Sequence, residues 1–352
     1  MDHPGIAEIG DRITPAPDGV GPMTIATLPS NSGTAMTTPR ITTDSLQIVG
    51  ILNITPDSFS DGGRYTRPDA ALQHALELHR DGADIVDIGG ESTRPGAPPV
   101  DPGIEQDRIL PIVEALTAQG ITVSVDTMHA QTAVAAIHAG ASIINDVSGG
   151  LADPVMLGAL AQEDCQVVLG HIRGTPATMQ SHAVYADAVA EVAGELRQRV
   201  QAACDAGIHP DRIVIDPGLG FAKTPEHNWT ILRDLDELTC FGLPVMVGVS
   251  RKRMLAELLP QGAPASARDL PTAVLSVLLA QAGVNAIRVH DVRKTQVAVA
   301  TLNRWVWRTS VTDAAFSSVD GSRQAPLGTA RSAGRTLVTR TRCLRPPGRT
   351  AT

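Results

Sequence analysis

Polar side chains that suit a flat, nitrogen-rich ring occur where short aliphatic runs end. Asp126, Asn145 and Asp216 each close such a run. A carboxylate accepts hydrogen bonds from paired N–H groups, and an amide both donates and accepts. The three residues therefore predict a pocket for a heterocycle, to which Lys252 can add a donor for a ring carbonyl. A metal cluster is a weaker interpretation, because no histidine or cysteine accompanies these groups closely.

A second set of side chains can bind an anion. Arg94, Arg288 and His290 belong to it, and the glycine-rich segments DIGGES and NDVSGG accompany them. Arginine pairs well with phosphate oxygens. Asn53 ends the first aliphatic run and offers a neutral oxygen that Mg²⁺ can use while it keeps most of its waters. We therefore expect a metal-bridged diphosphate.

These side chains need a scaffold that brings their runs together at one edge. Eight runs are nearly continuous in aliphatic and β-branched residues, at 48–54, 84–90, 122–127, 142–149, 167–172, 213–218, 245–250 and 286–291. Such runs are typical of parallel strands buried on both faces. Helical patterns alternate with them, as at 69–82, 130–140 and 187–207, and end at glycine.

This alternation predicts an α/β fold, a closed (β/α)₈ or TIM barrel, over 46–307. An open doubly wound sheet is the structural alternative, but no GxGxxG follows the first run. The polar residues lie at the carboxyl ends of the runs, which is where barrel active sites form. Residues 1–45 and the arginine-rich 308–352 lack apolar periodicity, so we expect disordered N- and C-terminal extensions.

Composition argues against two classes of partner. The net charge is −8, and the body of the chain is acidic, which disfavours nucleic acid. No run of about 18 apolar residues occurs, so no membrane span is expected. The N-terminus has no basic patch followed by an apolar core, so we expect no secretory signal and a cytoplasmic location.

Nine motifs stand in order between 48 and 307. They are GILNITPDSFSDGG (50–63), DIGGESTRPGA (87–97), SVDT (124–127), INDVSGG (144–150), HIRGTPATMQ (171–180), DPGLGFAK (216–223), GVSRK (248–252), RD with TA (268–273) and IRVHDV (287–292). Together they resemble dihydropteroate synthase, a pterin-binding enzyme family of the folate pathway. The resemblance implies a transferase that joins 4-aminobenzoate to (7,8-dihydropterin-6-yl)methyl diphosphate. Its products are 7,8-dihydropteroate and diphosphate, and sulfonamides are its expected inhibitors.

The resemblance also implies a role for each matching residue. Asn53 would bind Mg²⁺ and the diphosphate. The pterin would be held by Asp126, Asn145, Asp216 and Lys252, and the diphosphate by Thr93, Arg288 and His290. The 4-aminobenzoate site would be bordered by Phe59, Arg94, Pro95, Phe221 and Ser250. The groups expected to act in catalysis are Asp61, Lys252, Arg288 and His290.

The expected chemistry is an S_N1-like displacement of diphosphate. Mg²⁺ and cationic donors would stabilise the leaving group, and Asp61 would face the positive character left on the pterin methylene carbon. The loops carrying Phe59, Asp61, Thr93 and Arg94 close over the site in this family, which would exclude water. Glycine and serine make the segment from Asp57 to Gly63 suitable for such a lid.

One departure and two alternatives remain open at this point. Gly170 stands where the family usually has a methionine beside the pterin, so the floor of the pocket is looser unless a neighbour fills the gap. A methyltetrahydrofolate–corrinoid methyltransferase would share the barrel and the pterin carboxylates, and a catalytically silent paralogue would bind pterin only. The family is often dimeric, and the apolar segment 273–283 is the candidate interface for a homodimer.

Overall fold

The computed structural model describes residues 40–43, 45–55, 67–94 and 96–316. Eight strands alternate with helices along this part of the chain. The strands are β1 Gln47–Asn53, β2 Ile85–Gly89, β3 Val123–Asp126, β4 Ile143–Asp146, β5 Gln166–Gly170, β6 Ile213–Asp216, β7 Met246–Val247 and β8 Ala286–Val289. Each of them falls within or overlaps one of the eight aliphatic runs, so the strand predictions are confirmed.

The α-helices cover the outside of the sheet. They are α1 Arg67–Arg80, α2 Pro102–Thr117, α3 Ala130–His138, α4 Met156–Ala161, α5 Ala188–Asp205, α6 Pro225–Arg233, α7 Asp236–Thr239, α8 Asp269–Gln281 and α9 Val292–Phe316. Short 3₁₀ helices lie at Met179–His182, Pro210–Arg212, Arg253–Leu258 and Ala265–Arg268. Among the described helices, none is long and apolar enough to span a membrane.

The strands form one parallel sheet that curls into a barrel. Their order is β6-β5-β4-β3-β2-β1-β8-β7. The two ends of that order meet at a parallel bridge between Ile215 and Val245, and the Ile215 N–H donates to the Pro244 carbonyl at 3.0 Å. The predicted TIM barrel is therefore confirmed, and the doubly wound alternative is wrong.

An apolar layer fills the centre of the barrel. It is built from Val49, Ile85, Ile143, Val168, Val214, Met246 and Ala286. Ile41 joins this layer from the segment before β1, and its backbone exchanges hydrogen bonds of 2.7 and 2.8 Å with the Gln166 side chain. Since Gln166 opens β5, this segment covers the amino end of the barrel, and the carboxyl end is left for the site.

The extensions expected at 1–45 and 308–352 lie mostly outside the described residues. Within the described part, α9 continues beyond residue 307 to Phe316. The predicted domain boundaries stay predictions.

Candidate active site

A polar layer lies directly above the apolar centre. Successive side chains on a strand alternate between its faces, so a residue two positions after an inward-facing one also faces inward. The polar members of this layer are Asp87, Asn145, Asp216 and Arg288, two positions after Ile85, Ile143, Val214 and Ala286. Along each of these four strands, the inward-facing side chain therefore changes from apolar to polar over two residues.

Strand register brings the sequence-predicted residues of the first four strands to one level. Asn53 pairs with Gly89, Gly89 with Asp126, and Asp126 with Asn145. A Cβ on Gly89 would lie 3.6 Å from both the Asn53 Oδ1 and the Asp126 Cβ. Glycine at this position therefore leaves space between the two polar side chains at the mouth.

Arg288 crosses the mouth and binds two carboxylates. Its Nε donates to Asp87 Oδ2 at 2.6 Å, and its Nη2 donates to Asp126 Oδ2 at 2.8 Å. Asn145 Nδ2 lies 3.4 Å from the same Asp87 oxygen. The four side chains form one connected cluster on β2, β3, β4 and β8.

Asp87 is the member of this cluster that sequence reasoning missed. A carboxylate in the middle of the buried run DIVDIGG, two residues before Gly89, is the signal that could have identified it. A charged group at an inward-facing strand position needs a partner of opposite charge, because its burial is otherwise costly.

Burial sets the charge behaviour of the cluster. It raises the pKa of Asp126 to about 7, although Arg288 opposes the shift. For Arg288, burial lowers the pKa, but Asp87 and Asp126 outweigh it, so the net shift is upward. Within the described part of the chain, Asp87 Oδ1 and Asp126 Oδ1 are buried without a hydrogen-bond partner. The cluster therefore retains two buried acceptors whose hydrogen-bonding capacity is unfilled.

Asp216 and Lys252 face the same mouth from β6 and from the segment after β7. The Gly218 N–H donates to Asp216 Oδ1 at 2.7 Å. Burial raises the pKa of Asp216, opposed by this hydrogen bond and by Lys252, and it lowers the pKa of Lys252 to about 8, opposed by Asp216. The Lys252 ammonium lies 4.3 Å from the centre of the Phe221 ring, a cation–π contact.

Ser250 and His290 form a bonded pair beside them. The His290 backbone N–H donates to Ser250 Oγ at 3.1 Å, and the Ser250 hydroxyl lies 2.9 Å from His290 Nδ1. Burial and the neighbouring cations, Arg251 first, lower the pKa of His290 to about 3, so the ring is neutral. With Nδ1 accepting from Ser250, we assign the ring proton to Nε2, which can donate to an anion.

Two further predicted residues of the anion and aminobenzoate sites, Thr93 and Arg94, lie on the loop after β2. Thr93 is partly buried and Arg94 is exposed. The loop is tied across the mouth by the Gly96 N–H, which donates to the Pro176 carbonyl at 3.1 Å. Phe59, Asp61 and Pro95 lie outside the described residues.

Of the side chains that the structure describes at the mouth of the barrel, few could bind a metal ion. Asn53 is partly buried at the end of β1. Among the described residues, no group of three or more acidic, histidine or cysteine side chains is placed to hold a metal ion. One amide oxygen fits Mg²⁺, which dehydrates reluctantly and is commonly bound through substrate phosphates rather than by a protein cage.

A profile of the pterin binding enzyme family matches residues 49–290. A dihydropteroate synthase of Mycobacterium leprae is 50% identical over 266 residues, which cover 74% of this chain and 94% of that protein. The chain belongs to the dihydropteroate synthase family. It is accordingly a pterin-binding enzyme and a transferase. A dihydropteroate synthase of Streptococcus pyogenes is 44% identical over 258 residues, 73% of this chain and 94% of that one.

Solved dihydropteroate synthases share the fold. One from Xanthomonas albilineans, with 4-aminobenzoic acid, has a TM-score of 0.70 and 42% identity, and the match covers 76% of this chain and 94% of that chain. Another from the same organism, in complex with 7,8-dihydropteroate, has a TM-score of 0.68 and 40% identity, covering 76% and 95%.

Gly170 lies against the loop after β4. The resemblance to the family predicted a methionine at this position. A Cβ at Gly170 would lie 2.6 Å from Val147 Cα and 2.7 Å from its carbonyl oxygen. The backbone of Val147 therefore occupies the space beside this glycine. Of the two sequence-based interpretations, filling by a neighbour fits this packing.

Two further residues of the motifs have bracing contacts. Glu91 Oε2 lies 3.0 Å from His129 Nε2. His171 is 3% exposed, and both of its ring nitrogens are bonded within the protein, to Lys223 and to Glu195. These contacts favour structural roles for both residues.

Proposed function

We propose that the enzyme condenses (7,8-dihydropterin-6-yl)methyl diphosphate with 4-aminobenzoate to give 7,8-dihydropteroate and diphosphate. The observation that carries the proposal is the polar layer at the mouth, where Arg288 joins Asp87 and Asp126 beside Asn145. It offers acceptors and an amide within one confined space, as a pterin requires. The relatives solved with 4-aminobenzoic acid and with 7,8-dihydropteroate support the same substrates.

The pterin lies between Asp126 and Asn145 on one side and Asp216 on the other. The unpartnered Asp126 Oδ1 accepts from a ring N–H, and Asp216 accepts from the amino-substituted edge. Lys252 donates to the ring carbonyl. A lysine with a pKa near 8 remains mostly protonated at pH 7, so this donor is available.

The diphosphate lies toward β8 and the loop after β2. His290 Nε2, Arg288 and Thr93 donate to its oxygens, and Asn53 would supply an oxygen to Mg²⁺. When bound, Mg²⁺ supplies positive charge that favours departure of the diphosphate. Because His290 is neutral, it acts as a hydrogen-bond donor rather than as a cation.

The 4-aminobenzoate lies beside the ring of Phe221, with Ser250 and Arg94 near its carboxylate. Phe59 and Pro95 complete this side of the site.

The C–O bond between the pterin methylene and the diphosphate breaks first, and the electron pair leaves with the diphosphate. Asp61 stabilises the resulting cation, the aniline nitrogen bonds to the carbon, and that nitrogen then releases its proton to solvent.

A turnover assay on the purified full-length chain tests the function. We expect 7,8-dihydropteroate and diphosphate in equal amounts, dependent on 4-aminobenzoate, and inhibition by sulfonamides. Arg288→Met should abolish turnover, whereas Arg80→Met, at the exposed end of α1, should not. Methyl transfer from methyltetrahydrofolate to a corrinoid, or pterin binding without any turnover, would overturn the proposal.

The partner and location belong to the same proposal: a homodimer in the cytoplasm. Leu270, Val274 and Leu278 lie four residues apart on α8 and are 54–67% exposed, so they form an apolar stripe on one helix face. Sedimentation should give a dimer, and Val274→Glu with Leu278→Glu should give a monomer. A wild-type monomer would contradict this part.

A further inference from the structure

Lys223 is a buried lysine outside the residues assigned above. Burial lowers its pKa to about 7, opposed by Asp216 and Glu195. Lys223 is 2% exposed, and its Nζ lies 2.8 Å from His171 Nδ1 and 3.1 Å from each of the Gly218 and Phe221 carbonyl oxygens. In its protonated form Lys223 has three N–H donors, so these three acceptors use all of them. Lys223 therefore has no donor left for a substrate.

Two of the three acceptors belong to the loop that begins after Asp216 at the end of β6 and carries Phe221. The backbone of Gly218 is held at both of its polar groups. Its N–H donates to Asp216 Oδ1, and its carbonyl accepts from Lys223. Gly218 has a φ of +61°, and a Cβ there would lie 1.9 Å from the His171 carbonyl oxygen. The loop thus packs directly on the end of β5.

The third acceptor connects the loop to α5. Since Lys223 donates to His171 Nδ1, the ring proton lies on Nε2, which donates to Glu195 Oε2 at 3.0 Å. Burial and Lys223 lower the pKa of His171 to about 4, in keeping with a neutral ring. Arg173 Nε donates to Glu195 at 3.0 Å, and its Nη2 donates to Glu191 at 2.7 Å. A continuous chain of bonds therefore runs from α5 to the loop.

We propose that Lys223 is a positioning residue that holds Asp216 and Phe221 in one fixed arrangement. A single loop thereby positions the side chains that contact the two substrates. It acts through the backbone, by fixing the Gly218 and Phe221 carbonyls, and it is itself anchored by His171 and Glu195. The inference rests on the proposed function, which assigns the pterin to Asp216 and 4-aminobenzoate to Phe221. It predicts that binding of the two substrates weakens together when Lys223 is lost.

The first test compares Lys223→Met with Arg233→Met, which removes an exposed cation from the end of α6. For Lys223→Met we expect the KM of both substrates, and the dissociation constants measured by calorimetry, to rise about tenfold, which corresponds to about 1.4 kcal/mol for each substrate. The kcat at saturation should change less than about threefold. Arg233→Met should match the wild type.

Two outcomes would overturn the proposal. Unchanged KM values with a large fall in kcat would make Lys223 a proton-transfer group, a role open to a lysine of lowered pKa. A rise in the KM of only one substrate would show that the loop does not couple the two. If the wild type itself makes no dihydropteroate, the proposed function fails, but calorimetry with each substrate still tests the positioning role.

A double variant separates positioning from stability. Lys223→Met alone leaves His171 Nδ1 buried and unpaired, whereas Lys223→Met with His171→Leu removes both members of that bond. We expect the double variant to recover part of the lost melting temperature while both KM values stay raised. Recovery of the KM values together with stability would overturn the proposal. Should the single variant not fold, the double variant carries the comparison.

Discussion

The Arg288 Nε lies 2.6 Å from Asp87 Oδ2, which joins β8 to β2 across the mouth of the barrel. The two side chains are 18% and 1% exposed, so the pair is largely shielded from water. Asp87 thereby fixes the guanidinium whose other end binds Asp126. The ion pair is the internal support of the proposed pterin and diphosphate sites.

Loss of Asp87 should therefore lower the free energy of unfolding. Asp87→Ala leaves Arg288 with only Asp126, and breaking a buried pair costs about 3–5 kcal/mol. We expect urea unfolding to show a loss of this size and Asp87→Asn, which keeps an acceptor for Nε, to lose less. Asp81→Ala, on the exposed turn after α1, is the control. Equal stability of Asp87→Ala and the control would contradict the pairing.

Pterin binding should strengthen as the pH rises through 7. Burial raises the pKa of Asp126 to about 7, and the ionised form is the better acceptor for ring N–H groups. Below that pH the carboxyl is protonated. Lys252, whose pKa is about 8, is half deprotonated at pH 8 and offsets part of the gain, so affinity at pH 6 should be about fivefold weaker than at pH 8. Titration calorimetry with the hydroxymethyl dihydropterin avoids the ionisation of the diphosphate. Asp126→Asn should flatten the profile; an unchanged profile would exclude this residue as its cause.

The backbone between Ser250 and Lys252 should depend on a clamp from α8. Arg251 has a φ of +57°, and its guanidinium binds both oxygens of Asp269 at 2.7 and 2.9 Å. Arg268 also donates to the Arg251 carbonyl at 3.0 Å. The clamp thus holds a left-handed residue between two predicted site residues.

Arg251→Gly and Arg251→Ala both remove the ion pair with Asp269 and keep the carbonyl that Arg268 binds, but only glycine adopts this φ without strain. The glycine variant should be more stable than the alanine variant by about 1 kcal/mol. Both should lose about tenfold in kcat/KM, because Ser250 and Lys252 are no longer fixed. Wild-type kcat/KM in the glycine variant would show that the clamp has no part in the site.

A side chain at Gly170 should destabilise the protein. The Cβ of Gly170→Ala would meet the Val147 backbone at 2.6 Å, and overpacking of this kind costs about 1–3 kcal/mol. Gly194→Ala, in the middle of α5 with nothing within 4 Å of the new Cβ, is a matched control that should gain about 0.5–1 kcal/mol. Thermal unfolding of the two variants should show a lower melting temperature for Gly170→Ala and a higher one for Gly194→Ala. A Gly170→Ala protein as stable as the wild type would mean that the loop after β4 moves away readily.

The sequence by itself determined the strands and the level at which the site forms. Aliphatic runs predict the strands, and the polar residues that end them, Asn53, Asp126, Asn145 and Asp216, predict the level of the site. Both patterns involve only neighbouring positions in the sequence, so they can be recognised without the fold. Only the tertiary structure decided which charges meet. Arg288 and Asp87 are 201 residues apart, and Lys223 and His171 are 52 apart. Their contacts depend on the register with which the barrel closes and on the packing of loops over it, and no local pattern encodes either.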